Sequence, residues 1–281
     1  MTPPTGNELS LAGKIAVVTG STQGLGEAIA RLFADRGAAG IVVTGRNEEN
    51  GRRVEAALGA TGTAAFYVRA DLAKLDQARA VISAAAARFG GVDILVNAAA
   101  ITDRGSIFDT SPELYERMFA INLRAPFFMM QDALLLMRER HTKGAIVNIL
   151  SMSAHGGQSF ITAYCASKGA LLTLTRNVAF AVMRHGIRVN GLCVGWMDTP
   201  GEDRVMRTYH AAGDGWRERA EAGLPLGRLV KPCEVARAVG YLASHESGLM
   251  TGAIIDFDQS VLGCYETAPQ PAALAEASAF C

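Results

Sequence analysis

With 281 residues, the chain is long enough for one large α/β domain and a sizeable core. Its 27 basic and 27 acidic residues balance, which excludes a strongly charged chain built for nucleic acid or an anionic membrane surface. The polar start, with Pro3 and Pro4, lacks the apolar centre of a signal peptide, and no stretch approaches a membrane span, so a cytoplasmic protein is expected.

Residues 14–19 form a first apolar run, followed by Thr19-Gly20-Ser21-Thr22-Gln23-Gly24-Leu25-Gly26, a turn that opens a helix. Runs at 40–44, 64–68 and 92–96 read as the next strands. Between the last two, residues 74–89 place Ala78, Val81, Ile82, Ala85 and Phe89 at helical spacing on one face. Ser111 followed by Pro112 marks another helix start, the serine as cap and the proline in the first turn. Runs at 145–150, 187–194 and 253–257 complete seven strands. Strands that alternate with helices and are apolar throughout imply a parallel sheet covered on both faces. The expected fold is a doubly wound α/β sheet of the Rossmann type, a single domain over 1–281 with its core at 10–260. Residues 198–229 are a polar stretch too long for a simple connection, and read as a partly helical lid. The Ala- and Pro-rich tail at 265–281 reads as a docking arm or an unstructured extension. Cys165, Cys193, Cys233, Cys264 and Cys281 show no metal-ligand spacing, so reduced thiols and no bound metal are expected.

The chemistry concentrates in three residues. Tyr164 and Lys168 are four apart, which on a helix puts them on one face. A free phenol has a pKa near ~10, too high for a base at neutral pH, and a neighbouring ammonium favours the phenolate. Reaching about 7 takes about 3 units, roughly 4 kcal/mol. Tyr-x-x-x-Lys alone also arises by chance on any amphipathic helix. Ser151 adds context: it ends a buried strand, where such sheets meet ligands, thirteen residues before the tyrosine. The trio suits proton exchange with an alcohol oxygen.

The glycine turn has TGxxxGxG spacing, which resembles the short-chain dehydrogenase/reductase family; the alternative is a structural turn that merely needs glycine. The resemblance covers roughly residues 10–260, with motifs in family order. It implies that Gly20, Ser21, Thr22, Gln23, Gly24, Leu25 and Gly26 cradle a dinucleotide, whose pyrophosphate meets the helix N-terminus. It implies adenine contacts from Asp71 and Leu72, and a cofactor wall from Asn97, Ala98 and Ala99. Gly195, Met197 and Thr199 are implied near the nicotinamide. Asn122, Ser151, Tyr164 and Lys168 match the catalytic set, Asn122 organising a water chain from Lys168. Ser153 is a rival for the serine role. Ala98 and Ala100 depart from the family's Asn-Asn-Ala-Gly, Val194-Gly195 from its Pro-Gly, and Asp256-Phe257-Asp258-Gln259 from its Val-Asp-Gly-Gly.

Thr44-Gly45-Arg46-Asn47 has no carboxylate where NAD selection expects one, and Arg46 can meet a 2′-phosphate, so NADP is favoured over NAD. Ser151, Ser153, His155, Gln158 and Trp196, with Glu202, Asp203 and His210 on the lid, suit a small alcohol or ketone rich in hydroxyls. Each has a plainer reading, as loop cap, core residue or solvated charge. The expected reaction is hydride transfer to or from a sugar or polyol. The alternatives are a ketoreductase of acyl thioesters or cyclic ketones, for which no basic entrance patch is evident, and a non-catalytic NADP(H) sensor. The resemblance also implies a homotetramer that packs through the helices around Asn122 and Tyr164.

Overall fold

The structure, a computed structural model, describes residues 9–264. The predicted tail at 265–281, with Cys281, lies outside the described residues. In chain order the first half holds β1 (Ile15–Thr19), α1 (Gly24–Asp35), β2 (Gly40–Gly45), α2 (Glu48–Gly59), β3 (Ala64–Arg69), α3 (Leu75–Phe89), β4 (Ile94–Asn97) and α4 (Pro112–Phe119). Then come α5 (Ala125–Glu139), β5 (Ala145–Ile149), α6 (Thr162–Val182), β6 (Arg188–Val194), α7 (Pro200–Tyr209), α8 (Trp216–Ala222), α9 (Pro232–Ala243) and β7 (Ile254–Phe257). All seven strands are parallel, in the order β3-β2-β1-β4-β5-β6-β7.

The predicted strands all form, and the differences lie at their ends. β4 begins at Ile94 rather than Val92, because the Asp93 carboxylate turns aside to accept the Ile15 amide at 2.8 Å. The predicted helix at 74–89 starts one residue later and buries Ala78, Val81, Ile82 and Ala85. Ser111 caps α4 by accepting the Leu114 amide, with Pro112 in the first turn. Apolar side chains on the two faces of the sheet form two cores. One packs beneath α1, α2 and α9 around Ile29, Phe33, Val54 and Val239; the other lies beneath α3, α5 and α6 around Val81, Met129, Met137 and Leu171.

One polar thread runs through the second core. Asn97 on β4 donates to the Asn148 side chain on β5 at 2.8 Å, and Asn148 donates to Thr175 Oγ1 on α6 at 2.9 Å. All three are buried. Replacing Asn148 with alanine strands the Asn97 amide, and the expected cost is about 1–3 kcal/mol. Urea unfolding of the variant measures it; a change within error would mean that the thread contributes nothing net.

The order of strands reverses between β1 and β4, where the chain leaves the sheet in opposite directions. In such sheets a crevice opens beyond the strand ends at this point. Here every loop that carries a candidate site residue emerges at that edge.

Candidate active site

The cleft beyond the carboxyl ends of the strands has a volume of about 1630 Å³. Most of the predicted site residues line it: the glycine turn, Arg46, Asp71, Leu72, Ala98, Ala99, Ser151, Ser153, Gln158, Tyr164, Lys168, Gly195, Trp196, Met197 and Thr199. Four do not. Ser21 is buried under the turn, donating to Val18 O and accepting the Thr44 amide. Asn97 belongs to the polar thread. Asn122 and His155 face elsewhere, as described below.

The glycine turn is built so that backbone can lie against a ligand. Gly20 and Gly24 have φ of +67° and +58°, which a side chain disfavours. A Cβ on Gly26 would fall 2.4 Å from the Gly20 carbonyl oxygen, so α1 starts directly against the turn. The departures at Ala98 and Ala100 leave the neighbouring wall tight: Thr19 Oγ1 accepts both the Ala98 and Ala99 amides. A turn held this close, with a helix N-terminus behind it, fits a pyrophosphate. At the far end of the cleft Arg46 is exposed and makes none of the hydrogen bonds or ion pairs found among the described residues.

Tyr164 and Lys168 project from the first turns of α6, and Ser151 follows β5. Ser151 stands close enough to the Tyr164 hydroxyl to favour its ionised form. Lys168 is buried; its Nζ donates to Ile149 O at 2.7 Å and lies 5.8 Å from the centre of the Tyr164 ring. The expectation that Lys168 brings the phenol toward neutrality is not met in the protein alone. Burial dominates and pushes Tyr164 up to about 12, with Ser151 pulling the other way. The same burial draws Lys168 down to about 8. Low polarity disfavours both charged forms, so the ammonium pays for its own desolvation before it can help the phenol.

Asn122 lies in a π-helical turn, Ala120–Arg124, between α4 and α5. Its side chain is fully engaged: Oδ1 accepts the Ile101 amide, and Nδ2 donates to Ile101 O and Ser167 Oγ. It therefore braces the loop after β4 against α6. Ser153, the rival serine, offers its amide to Ser151 Oγ at 3.1 Å and supports that residue's orientation. His155 turns out of the cleft toward Asp256, which corrects its placement as a substrate contact.

The lid predicted at 198–229 holds α7 and α8, and its ordering is polar and aromatic. Trp196 stacks with Trp216, the ring centres 6.0 Å apart, and its Nε1 donates to Glu202 at 2.8 Å. Trp216 Nε1 donates to Asp203 at 2.7 Å. Three residues the sequence did not flag, Asp103, Arg104 and Tyr209, fasten the predicted lid to the loop after β4. Tyr209 donates to Asp103 at 2.9 Å, and Arg104 donates to His210 at 3.0 Å and lies 3.7 Å from Glu202. No local pattern marks Arg104, since its partners are about a hundred positions away in sequence.

The family model described as enoyl-(acyl carrier protein) reductase matches residues 20–260. Galactitol 2-dehydrogenase of Agrobacterium fabrum is 36% identical over 245 residues, covering 85% of this chain and 93% of that protein. The chain belongs to the short-chain dehydrogenase/reductase family. L-Rhamnose 1-dehydrogenase (NAD(P)(+)) of Azotobacter vinelandii is 34% identical, over 88% of this chain and 96% of its own length. Among solved structures, a Beutenbergia cavernae protein described as an NAD(P)-dependent gluconate 5-dehydrogenase, with NADP bound at low occupancy, superposes with a TM-score of 0.81 at 31% identity. That match covers 90% of this chain and 98% of the other. As a short-chain dehydrogenase/reductase, the protein is a nicotinamide-dependent oxidoreductase of CH–OH groups. No helix among the described residues is long and apolar enough to cross a membrane.

Proposed function

We propose that the chain transfers a hydride between NADP and a secondary alcohol or ketone of a sugar or polyol. The observation that carries this reading is the polar cluster facing Tyr164. Glu202 and Arg104 stand close enough for their charges to act on the phenol. Hydroxyl groups of a substrate can donate to the Glu202 carboxylate and accept from Arg104, and a site built this way rejects substrates lacking them. Trp196, 36% exposed, offers an aromatic surface to the C–H face of a sugar ring. Relatives named for galactitol, sorbitol and L-rhamnose support the same substrate class.

A bound oxidised nicotinamide would accept the hydride and add positive charge near the phenol. The chain's own residues handle the proton. Tyr164 takes it from the substrate hydroxyl in oxidation and returns it in reduction. Ser151 donates to the substrate oxygen and steadies the charge that builds there. Lys168 holds its charge beside Tyr164 and would reach the cofactor ribose. Asn122, its side chain already engaged, would serve the proton path through its backbone in the π turn. Arg46, unpaired at the adenosine end, favours the 2′-phosphate of NADP, while Asn47 is committed to capping α2 through the Asn50 amide.

A second reading rests on Arg117 and Arg204, both exposed at the mouth of the cleft. They suit an anionic carrier and hence a ketoreductase of acyl thioesters. A panel of polyols, aldoses, cyclic ketones and acyl thioesters, assayed with NAD and NADP, separates the two. The polyol reading predicts the highest kcat/KM for a polyol or sugar, with the lower Michaelis constant for NADP. Preference for an acyl thioester would overturn it.

A homotetramer is part of the same proposal. Phe127 and Leu135 on α5, with Phe180 on α6 and Met183 just beyond it, expose large apolar surfaces, and a groove of about 290 Å³ runs between the two helices. A second copy of the chain would cover this face. Phe180→Asp is expected to shift the wild-type assembly toward smaller species in light scattering; a monomeric wild type would contradict the proposal.

A further inference from the structure

Behind the Ser151 loop, outside the cleft, three side chains from distant parts of the chain converge. Cys193 on β6 is paired in register with Asp256 on β7, so their side chains emerge on the same face of the sheet. His155, at the end of the short 3₁₀ turn after Ser151, brings Nε2 to 3.1 Å from Asp256 Oδ1. The Cys193 sulfur, the His155 nitrogen and the Asp256 oxygen all lie within 4.8 Å of one another. Cys193 is fully buried, and the Ser151 backbone N–H donates a hydrogen bond to it.

We propose that His155, Cys193 and Asp256 form a zinc site at the edge of the sheet. The donor set is one sulfur, one imidazole nitrogen and one carboxylate oxygen, the kinds that tetrahedral zinc takes, with Zn–S near ~2.3 Å and Zn–N near ~2.0–2.1 Å. Three ligands leave a fourth position for water, and 36% of the Asp256 side chain is exposed, so solvent reaches that edge of the site. Sulfur favours zinc over the hard cations magnesium and calcium.

Charge also balances. Loading releases the thiol proton to solvent as the Zn–S bond forms, and the thiolate and carboxylate together cancel the two positive charges of the ion. Lys168, whose charge reaches Cys193, would then face a neutral centre and keep its own state. The N–H of Ser151 would support the thiolate, as groups around metal ligands do. Zinc would bind the turn that follows Ser151 to β6 and β7, stiffening the substrate side of the cleft. The sequence gives no sign of this, because the ligands come from three separate elements with no short spacing.

The test is metal binding by the full chain after treatment with a chelator and dialysis. Zinc is titrated against a chromophoric chelator, and cobalt(II) replaces it for spectroscopy. The wild type is expected to take up about one zinc per chain and to melt at a higher temperature with zinc present. Cobalt should give a sulfur-to-metal charge-transfer band in the near ultraviolet. Cys193→Ser should remove the band. Losing a group that only supports a ligand costs about 10–100-fold in affinity, and His155→Ala or Asp256→Asn should exceed that. A Cys233→Ser/Cys264→Ser/Cys281→Ser variant, lacking three of the chain's other thiols, should bind as the wild type does. No stoichiometric zinc in the wild type, or wild-type affinity in His155→Ala, would overturn the site. His155 lies on the surface turn, so that outcome stays readable even if Cys193→Ser fails to fold.

Discussion

Replacing Tyr164 with phenylalanine is expected to cut kcat for alcohol oxidation by about 10²–10⁴-fold, the range for losing a general acid–base group. Dinucleotide affinity changes little. The substitution removes only the hydroxyl, leaving the ring that packs beside Lys168 Nζ and the glycine turn at the other end of the cleft. Ser151 keeps the Ser153 amide on its Oγ. The loss therefore falls on kcat, because the proton is exchanged only during the reaction. Steady-state kinetics with a fluorescence titration of the reduced dinucleotide separates the two effects. A variant that turns over at a comparable rate would remove Tyr164 from the proton-transfer role.

Lys168→Met is expected to lower kcat to a similar degree and also to change how stability depends on pH. In the folded protein Lys168 loses its proton at about 8, against 10.5 for an unburied lysine. Between those values the unfolded chain binds more protons than the folded one, so stability rises with pH through this window. The depressed value costs the folded state roughly 3 kcal/mol below about pH 8, at ~1.36 kcal/mol per unit. Methionine removes that cost, but leaves the Ile149 carbonyl without its partner, which offsets about 1–3 kcal/mol. The net stability is therefore less telling than the slope. Over pH 8 to 10.5 the wild type should gain stability relative to the variant in denaturant unfolding. The opposing contribution of the buried Cys193 thiol is common to both and cancels from that difference. Parallel curves would show that Lys168 does not carry its charge in a buried place.

The fold was largely legible because its strands are continuous apolar runs, and a parallel sheet buried on both faces leaves that mark in sequence. Boundaries moved where a side chain competed with the ladder, as Asp93 does at the start of β4. The grouping of Tyr164, Lys168 and Ser151 was legible because Tyr164 and Lys168 share a helical face and Ser151 ends a strand. What remained hidden depends on contacts between distant segments. Arg104 meets Glu202 and His210 only because α7 packs over the loop after β4. His155, assigned to the substrate by its place between Ser151 and Tyr164, is drawn away by Asp256 on β7. The electrostatics of Tyr164 were hidden for a related reason. A four-residue spacing shows that a cation is near, but not how much water both groups have lost.

The proposed reaction is hydride transfer from a carbinol carbon, with Tyr164 exchanging the proton. The most direct measurement uses galactitol and sorbitol deuterated at every carbinol carbon, with oxidised NADP and the wild-type protein. Mass spectrometry of the reduced dinucleotide is expected to show one deuterium per molecule formed, and Tyr164→Phe should form almost none. Reduced dinucleotide without label, or no turnover of either polyol while an acyl thioester reacts, would contradict the account.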